Sequence, residues 1–241
     1  MITTICLNPA LDRTVTVDAL IPGQVNRIRM SRTDVGGKGM NVAVVCRRLG
    51  LEAQVIGCAG VDGYAKLQAK AKDEGIGCDF HTVEGAIRVN TKVFPLDGSG
   101  VTELNEPGPT LTAEDLDVFF DLAIEKTQGS DFVVITGSLP PGCPAHTYRE
   151  LIRVLKVPCI LDVGGEALRL GVEAKPFLIS PTIMSWRQRL ATSCIRWRTS
   201  GQPRSPLWMG ESAMWWCPWA RTARCMWAKK AVFMRPRSPW R

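Results

Sequence analysis

Along the first three quarters of the chain, short apolar runs alternate with segments of helical spacing. Ile2–Leu7 is an apolar run, and Thr14–Asp18 alternates apolar and polar positions as a half-buried strand does. Met40–Leu49 repeats its apolar residues at a helical period and runs into Gly50, which predicts a helix with a glycine stop. Gln54–Cys58 predicts a buried strand, followed by a helix over Gly63–Glu74. Arg88–Phe94 alternates again. Thr112–Lys126 opens on Thr-Ala-Glu-Asp, which predicts a capped helix start with acids in its first turn. Phe132–Thr136 predicts a strand ending in Gly-Ser-Leu-Pro-Pro-Gly, then a helix from about Ala145 to Leu155. Cys159–Val163, a helix near Glu166–Leu170 and the Phe177–Ile179 run repeat the unit. This rhythm implies an α/β fold, with a mainly parallel sheet covered on both faces. The alternating segments 14–18, 28–34 and 88–94 break it and predict a small second sheet.

A chain of 241 residues, 45% hydrophobic, can bury a sizeable core in one large domain or two small ones. Disorder, collagen-like repeats and a disulfide miniprotein are excluded. No run of 18 apolar residues occurs, so no membrane span is expected. Met1–Cys6 lacks the basic region and long apolar stretch of a signal peptide. Nine cysteines, an odd number, then read as reduced thiols in the cytoplasm.

The net charge of +7 suggests an anionic partner until it is located. Residues 1–179 carry 18 basic and 22 acidic side chains, whereas residues 180–241 carry 12 basic ones and a single acid, Glu211. All eight Trp and five of the eight Met also fall in this last stretch, so the composition changes abruptly near residue 180.

Within the ordered part, Asp34-Val35-Gly36-Gly37-Lys38-Gly39-Met40-Asn41 is a glycine-rich turn entering a helix. Backbone N–H groups in such a turn can approach an anion closely, helped by the helix dipole. It lacks Walker A spacing, and a tight turn with a solvated lysine is the competing reading. Asn8-Pro9-Ala10-Leu11-Asp12 follows the first strand, where open α/β sheets place ligands. Asp12 there can accept hydrogen bonds from sugar hydroxyls, or cap a turn. Arg88, Asn90 and Lys92 share one face of an alternating strand and could grip a phosphate and a hydroxyl. A charge-protected edge strand is the alternative.

Five motifs in order resemble the ribokinase-like PfkB sugar kinases. They are Asn8-Pro9-Ala10-x-Asp12, Gly36-Gly37-Lys38-Gly39-x-Asn41, Thr102-Glu103-Leu104-Asn105-Glu106-Pro107-Gly108, Gly137-Ser138-Leu139-Pro140-Pro141-Gly142 and Asp162-Val163-Gly164-Gly165-Glu166-Ala167-Leu168. The likeness covers residues 1–179 nearly end to end and is greatest with the branch of 1-phosphofructokinase and tagatose-6-phosphate kinase. It implies a three-layer sandwich with a β-sheet lid, the lid drawn from about residues 12–35 and 87–105. It implies transfer of phosphate from ATP, with Mg2+, to a hexose phosphate such as fructose 1-phosphate or tagatose 6-phosphate. By the same resemblance, Asp12 and Asn41 hold sugar hydroxyls, and Gly36, Gly37, Lys38, Gly39 and Arg88 hold the existing phosphate. Ser138 approaches from the opposite strand, Asn90 and Arg27 assist, and the lid pairs two subunits into a homodimer.

The resemblance stops near residue 180. The family's Lys-Pro-Asn…Glu motif is replaced by Ser180-Pro181-Thr182, and no Gly-x-Gly-Asp occurs in residues 180–241, which contain no Asp. The catalytic base, the nucleotide site and any metal ligand are therefore expected to be missing, and the C-terminal part of the fold with them. The segment from Ile179 to Trp186 can be encoded so that one base restored in codon 180 turns it into Ile-Lys-Pro-Asn-His-His-Glu-Leu. Ala213–Trp219 can likewise be encoded so that the same shift gives a valine-rich strand pattern. Residues 180–241 are thus expected to be an out-of-frame, poorly ordered tail, and the chain an inactive kinase by descent. Two alternatives are a non-catalytic sugar-phosphate-binding protein and a basic, aromatic tail that binds nucleic acid. The tail's Trp and Arg follow no helical or strand period, and six prolines interrupt it, so neither nucleic acid nor a membrane is the expected partner.

Overall fold

The computed structural model describes residues 1–180. The out-of-frame reading of the tail, Ser180 apart, lies outside the described residues. Among the described residues ten strands and five α-helices follow in order: β1 (Ile2–Cys6), β2 (Ala10–Val17), β3 (Ile28–Gly36), α1 (Lys38–Arg48), β4 (Ala53–Gly60), α2 (Val61–Glu74), β5 (Gly77–Val83), β6 (Arg88–Pro95), β7 (Thr102–Asn105), α3 (Ala113–Lys126), β8 (Phe132–Thr136), α4 (Thr147–Val154), β9 (Cys159–Asp162), α5 (Gly165–Gly171) and β10 (Leu178–Ile179).

Six strands make one sheet in the order β10-β9-β8-β1-β4-β5, and every neighbouring pair is parallel. The chain winds outward from β1 through β4 to β5, then returns to place β8, β9 and β10 on the other side. The reversal leaves a crevice beyond the carboxyl ends of β1 and β8, where an open α/β sheet receives its ligand.

Alternation along the strands sorts the core into two layers. Ile5, Leu7, Ile56, Cys58, Val133 and Ile135 pack with Phe119 and Ala123 of α3, Tyr148 and Leu151 of α4, and Leu168 of α5. Cys6, Val55 and Ala59 turn the other way, onto Met40, Ala43 and Val44 of α1 and Leu67 and Ala71 of α2. A fully buried side chain of this size contributes about 1.5–3 kcal/mol, so covering both faces is what holds the sheet.

Local signals set the helix ends. Thr112 Oγ1 accepts the Asp115 N–H at 3.1 Å, and Asp115 Oδ2 accepts the Thr112 N–H at 2.8 Å, closing a reciprocal cap at the start of α3. At the end of α1, Gly50 N–H donates to Arg47 and Leu51 N–H to Cys46, both at 3.0 Å.

The expected second sheet is present, mixed in direction and ordered β3-β2-β6-β7. Its register aligns Asp34, Asp12, Asn90 and Asn105 in one row, and Arg32, Thr14, Lys92 and Glu103 in the next. Its opposite face carries Val15, Val17 and Val93 around Leu20. The strand β5 was not foreseen, and β7 falls within the expected lid segment 87–105 without having been marked as a strand of its own. β7 is exposed throughout, and β5 is a sheet edge with Phe80 and Val83 as its buried side chains, so neither has a strong apolar pattern. No helix among the described residues is long and apolar enough to cross a membrane.

Candidate functional site

The two sheets meet around a cleft of about 640 Å³ at the carboxyl ends of the parallel strands. β1 delivers Asn8 to it, β2 delivers Asp12, and α1 delivers Lys38 and Asn41. β6 supplies Arg88, Asn90 and Lys92, all on one face, and β7 supplies Glu103 and Asn105. Gly137, Ser138 and Leu139 after β8 close the side opposite, with Val163, Gly164 and Ala167 after β9.

Asp12 sits inside a strand rather than on a turn, because β2 begins at Ala10. The strand aims its carboxylate across the sheet, where Asn90 Nδ2 donates to Oδ1 at 3.3 Å. Gly36 does not line the cleft. It lies behind Asp12, and a Cβ there would collide with the Asp12 carboxylate. Gly37 takes a φ of +103°, the left-handed region that turns β3 into α1 over Pro9 and Cys6. Gly39 packs on Cys6, whose thiol pKa is pushed up by burial, opposed by the nearby backbone of Gly39 and Met40. Cys6 is thus the floor under the glycine turn. Arg27, just ahead of β3, is not among the residues lining the cleft.

Electrostatically the cleft is under-neutralised. Arg88 is half-buried, and its Nε and Nη2 donate to the neutral carbonyl of Asn8 at 3.1 and 2.9 Å. Burial lowers the pKa of its guanidinium, opposed by Cys6 and Asp12, yet an arginine stays charged at neutral pH. Lys38 is 4.0 Å from Asp162, a loose contact between an exposed lysine and a partly buried carboxylate. Two acceptors, Asn8 Oδ1 and Asn90 Oδ1, are buried with no hydrogen-bond partner among the described residues. Poorly paired cations beside the Asp12 carboxylate and the amides of Asn41, Asn90 and Asn105 suit a ligand that carries both an anionic group and hydroxyls.

Sequence reasoning passed over Glu103, Asn105, Val163 and Gly164 as lining residues, although each lies in a motif it had marked. The register of β6 with β7, which puts Asn105 beside Asn90, is a property of pairing and carries no local signal. Among the described residues no three His, Cys, Asp or Glu side chains converge in a way that could hold a metal ion.

Residues 6–182 match the pfkB family of carbohydrate kinases. The 1-phosphofructokinase of Rhodobacter capsulatus is 36% identical over 186 residues, which is 76% of this chain and 59% of that protein. A solved structure from Thermotoga maritima, described as a possible 1-phosphofructokinase, aligns with a TM-score of 0.70 at 28% identity, over 76% of this chain and 61% of the other. Phosphofructokinase-2 from Escherichia coli in complex with fructose-6-phosphate aligns with a TM-score of 0.72 at 25% identity, over 84% and 66%. The chain therefore spans 59% of the length of the first of these relatives. With the fold, the cleft and the match along most of its length in agreement, the chain belongs to the pfkB family of carbohydrate kinases.

Proposed function

We propose that residues 1–179 are the acceptor-binding part of an ATP-dependent hexose-phosphate kinase, and that the 241-residue chain holds the sugar phosphate without phosphorylating it. The acceptor is fructose 1-phosphate, giving fructose 1,6-bisphosphate in an intact enzyme, or tagatose 6-phosphate. In this reading Lys38, Arg88 and the backbone of Gly37 hold the existing phosphate. Asp12, Asn41 and Asn90 accept or donate to the sugar hydroxyls, and Ser138 faces them from β8. The observation that carries the reading is the cleft itself, which gathers these residues from four separate segments: β2, the start of α1, β6 and the turn after β8. In an intact enzyme the second sheet would act as a lid that keeps water from the phosphoryl group. Exposed Ile28 and Met30 on β3 support a homodimer made through that sheet.

In the family ATP and magnesium supply the transferable group and neutralise its charge. No Gly-x-Gly-Asp stands in residues 180–241 to supply a base. No transfer step is assigned to this chain.

Calorimetry of the purified protein with fructose 1-phosphate and tagatose 6-phosphate, beside a coupled ATP-dependent assay, tests the proposal. Binding without turnover is expected. Turnover overturns the inactivity, and a folded protein that binds neither sugar overturns the site. Sequencing the DNA around codon 180 tests the out-of-frame reading of residues 180–241. An intact frame with no coherent alternative phase downstream removes it.

A further inference from the structure

At the back of the cleft, three segments close a hydrogen-bonded circuit. The Asn8 carbonyl, just past β1, accepts Nε and Nη2 of Arg88 at 3.1 and 2.9 Å. Arg88 is followed by Val89, whose N–H donates to Glu106 Oε2 at 2.7 Å. Glu106 is followed by Pro107, whose carbonyl accepts Asn8 Nδ2 at 2.9 Å, which returns the circuit to its start. The same Nδ2 reaches Ser138 Oγ at 3.3 Å.

We propose that Asn8 and Glu106 are positioning residues: together they fix the Arg88 guanidinium and the Ser138 hydroxyl before any ligand arrives. This rests on the sugar-phosphate reading of the cleft. Asn8 is only 4% exposed, so its amide is held in one orientation. Two bonds from one guanidinium to a single carbonyl fix the plane of the group and leave its remaining N–H donors for an anion. Glu106 is exposed and could have neutralised that cation. Its carboxylate is instead taken by the main-chain N–H between Arg88 and Asn90, so it sets the position of β6 and leaves the positive charge of the cleft available. A ligand meeting a pre-set guanidinium loses less conformational entropy on binding than one that must order it.

Three variants test this: Asn8→Asp, which keeps the shape but replaces the donor, Glu106→Ala, and Glu106→Gln, which keeps an acceptor. Hydrogen exchange at the Val89 amide is read by NMR without ligand, and affinities for fructose 1-phosphate and for fructose are read by titration. Asn8→Asp and Glu106→Ala are expected to speed Val89 exchange and to weaken fructose 1-phosphate binding about tenfold, the loss of about one hydrogen bond, with fructose changed less than about twofold. Glu106→Gln is expected to restore both readouts. Unchanged exchange and affinity in Glu106→Ala overturn the proposal, and so does an equal loss for both sugars, which marks a merely structural role. If wild type binds neither sugar, the site reading and the role in binding fall together, while Val89 exchange still decides whether the circuit forms. Should Asn8→Asp fail to fold, the two Glu106 variants decide alone.

Discussion

Lys38 Nζ stands 4.0 Å from Asp162 Oδ2, and the same oxygen accepts Thr136 Oγ1 at 2.9 Å. The contact joins the first turn of α1 to the end of β9 across the cleft. Thr136 holds the carboxylate, so the lysine is the mobile member of the pair, and a partly exposed pair of this length is worth little by itself. An incoming phosphate competes with Asp162 for Lys38. Asp162→Asn is therefore expected to tighten fructose 1-phosphate binding about two- to threefold at low salt, and less at high salt. Lys38→Met is expected to weaken it about tenfold or more. Calorimetry at two ionic strengths checks both, and a weaker complex in Asp162→Asn contradicts the competition.

Gly36 tests whether Asp12 reads the ligand. A Cβ at this position meets the Asp12 carboxylate, which has to move off Asn90 to make room. Gly36→Ala is expected to leave the far-ultraviolet circular dichroism unchanged while binding of fructose 1-phosphate drops about tenfold, roughly one charged hydrogen bond. Wild-type affinity in a folded Gly36→Ala protein removes Asp12 from the site.

An acid-sensitive contact lies away from the cleft. Glu74, at the end of α2, accepts Arg48 at 3.0 and 2.6 Å and Lys70 at 2.7 Å. Hydrogen bonds from Arg48 and then Lys70 hold its carboxyl at a pKa of about 2. A depressed carboxylate stabilises the fold fully above its unfolded value of about 4.3, and this stabilisation is lost as pH falls from there through the folded value. Glu74→Gln should lower Tm modestly at pH 7, and the gap to wild type should narrow below about pH 4 and close only below about pH 2. A gap that persists in acid contradicts the pairing.

Two substitutions in the core separate packing from site support. Phe119→Ala empties a fully buried position on α3 and is expected to cost about 3–5 kcal/mol in urea denaturation. Tyr148 is also fully buried, and its hydroxyl donates to the Gly137 carbonyl at 3.3 Å, beneath the turn that carries Ser138. Tyr148→Phe is expected to cost about 1 kcal/mol, with weakened sugar-phosphate binding if that turn is set from below.

What could be read from the sequence was local. The apolar run at Ile2–Leu7, the cap at Thr112 and the glycine after Leu49 each act within a few residues, and each element stands where its pattern put it. The face shared by Arg88, Asn90 and Lys92 followed from the strand period alone, and all three line the cleft. Pairing across the chain was not legible. Glu103 and Asn105 enter the cleft only because β7 lies antiparallel to β6, and nothing within four exposed residues announces that. The role of Gly36 was read as direct contact, whereas its position behind Asp12 appears only once β2 and β3 are paired at Ala10 and Gly36.

The winding of the parallel sheet also sets an order of assembly. β1 leaves the ribosome first and finds one neighbour, β4, some fifty residues later, but the other, β8, only after Phe132 has been made. Until then one whole flank of the earliest strand is bare, and a nascent chain must shelter it or have it sheltered. Slowing translation beyond β8 should therefore favour correct folding, and slowing it between β5 and β8 should expose the half-built sheet to aggregation.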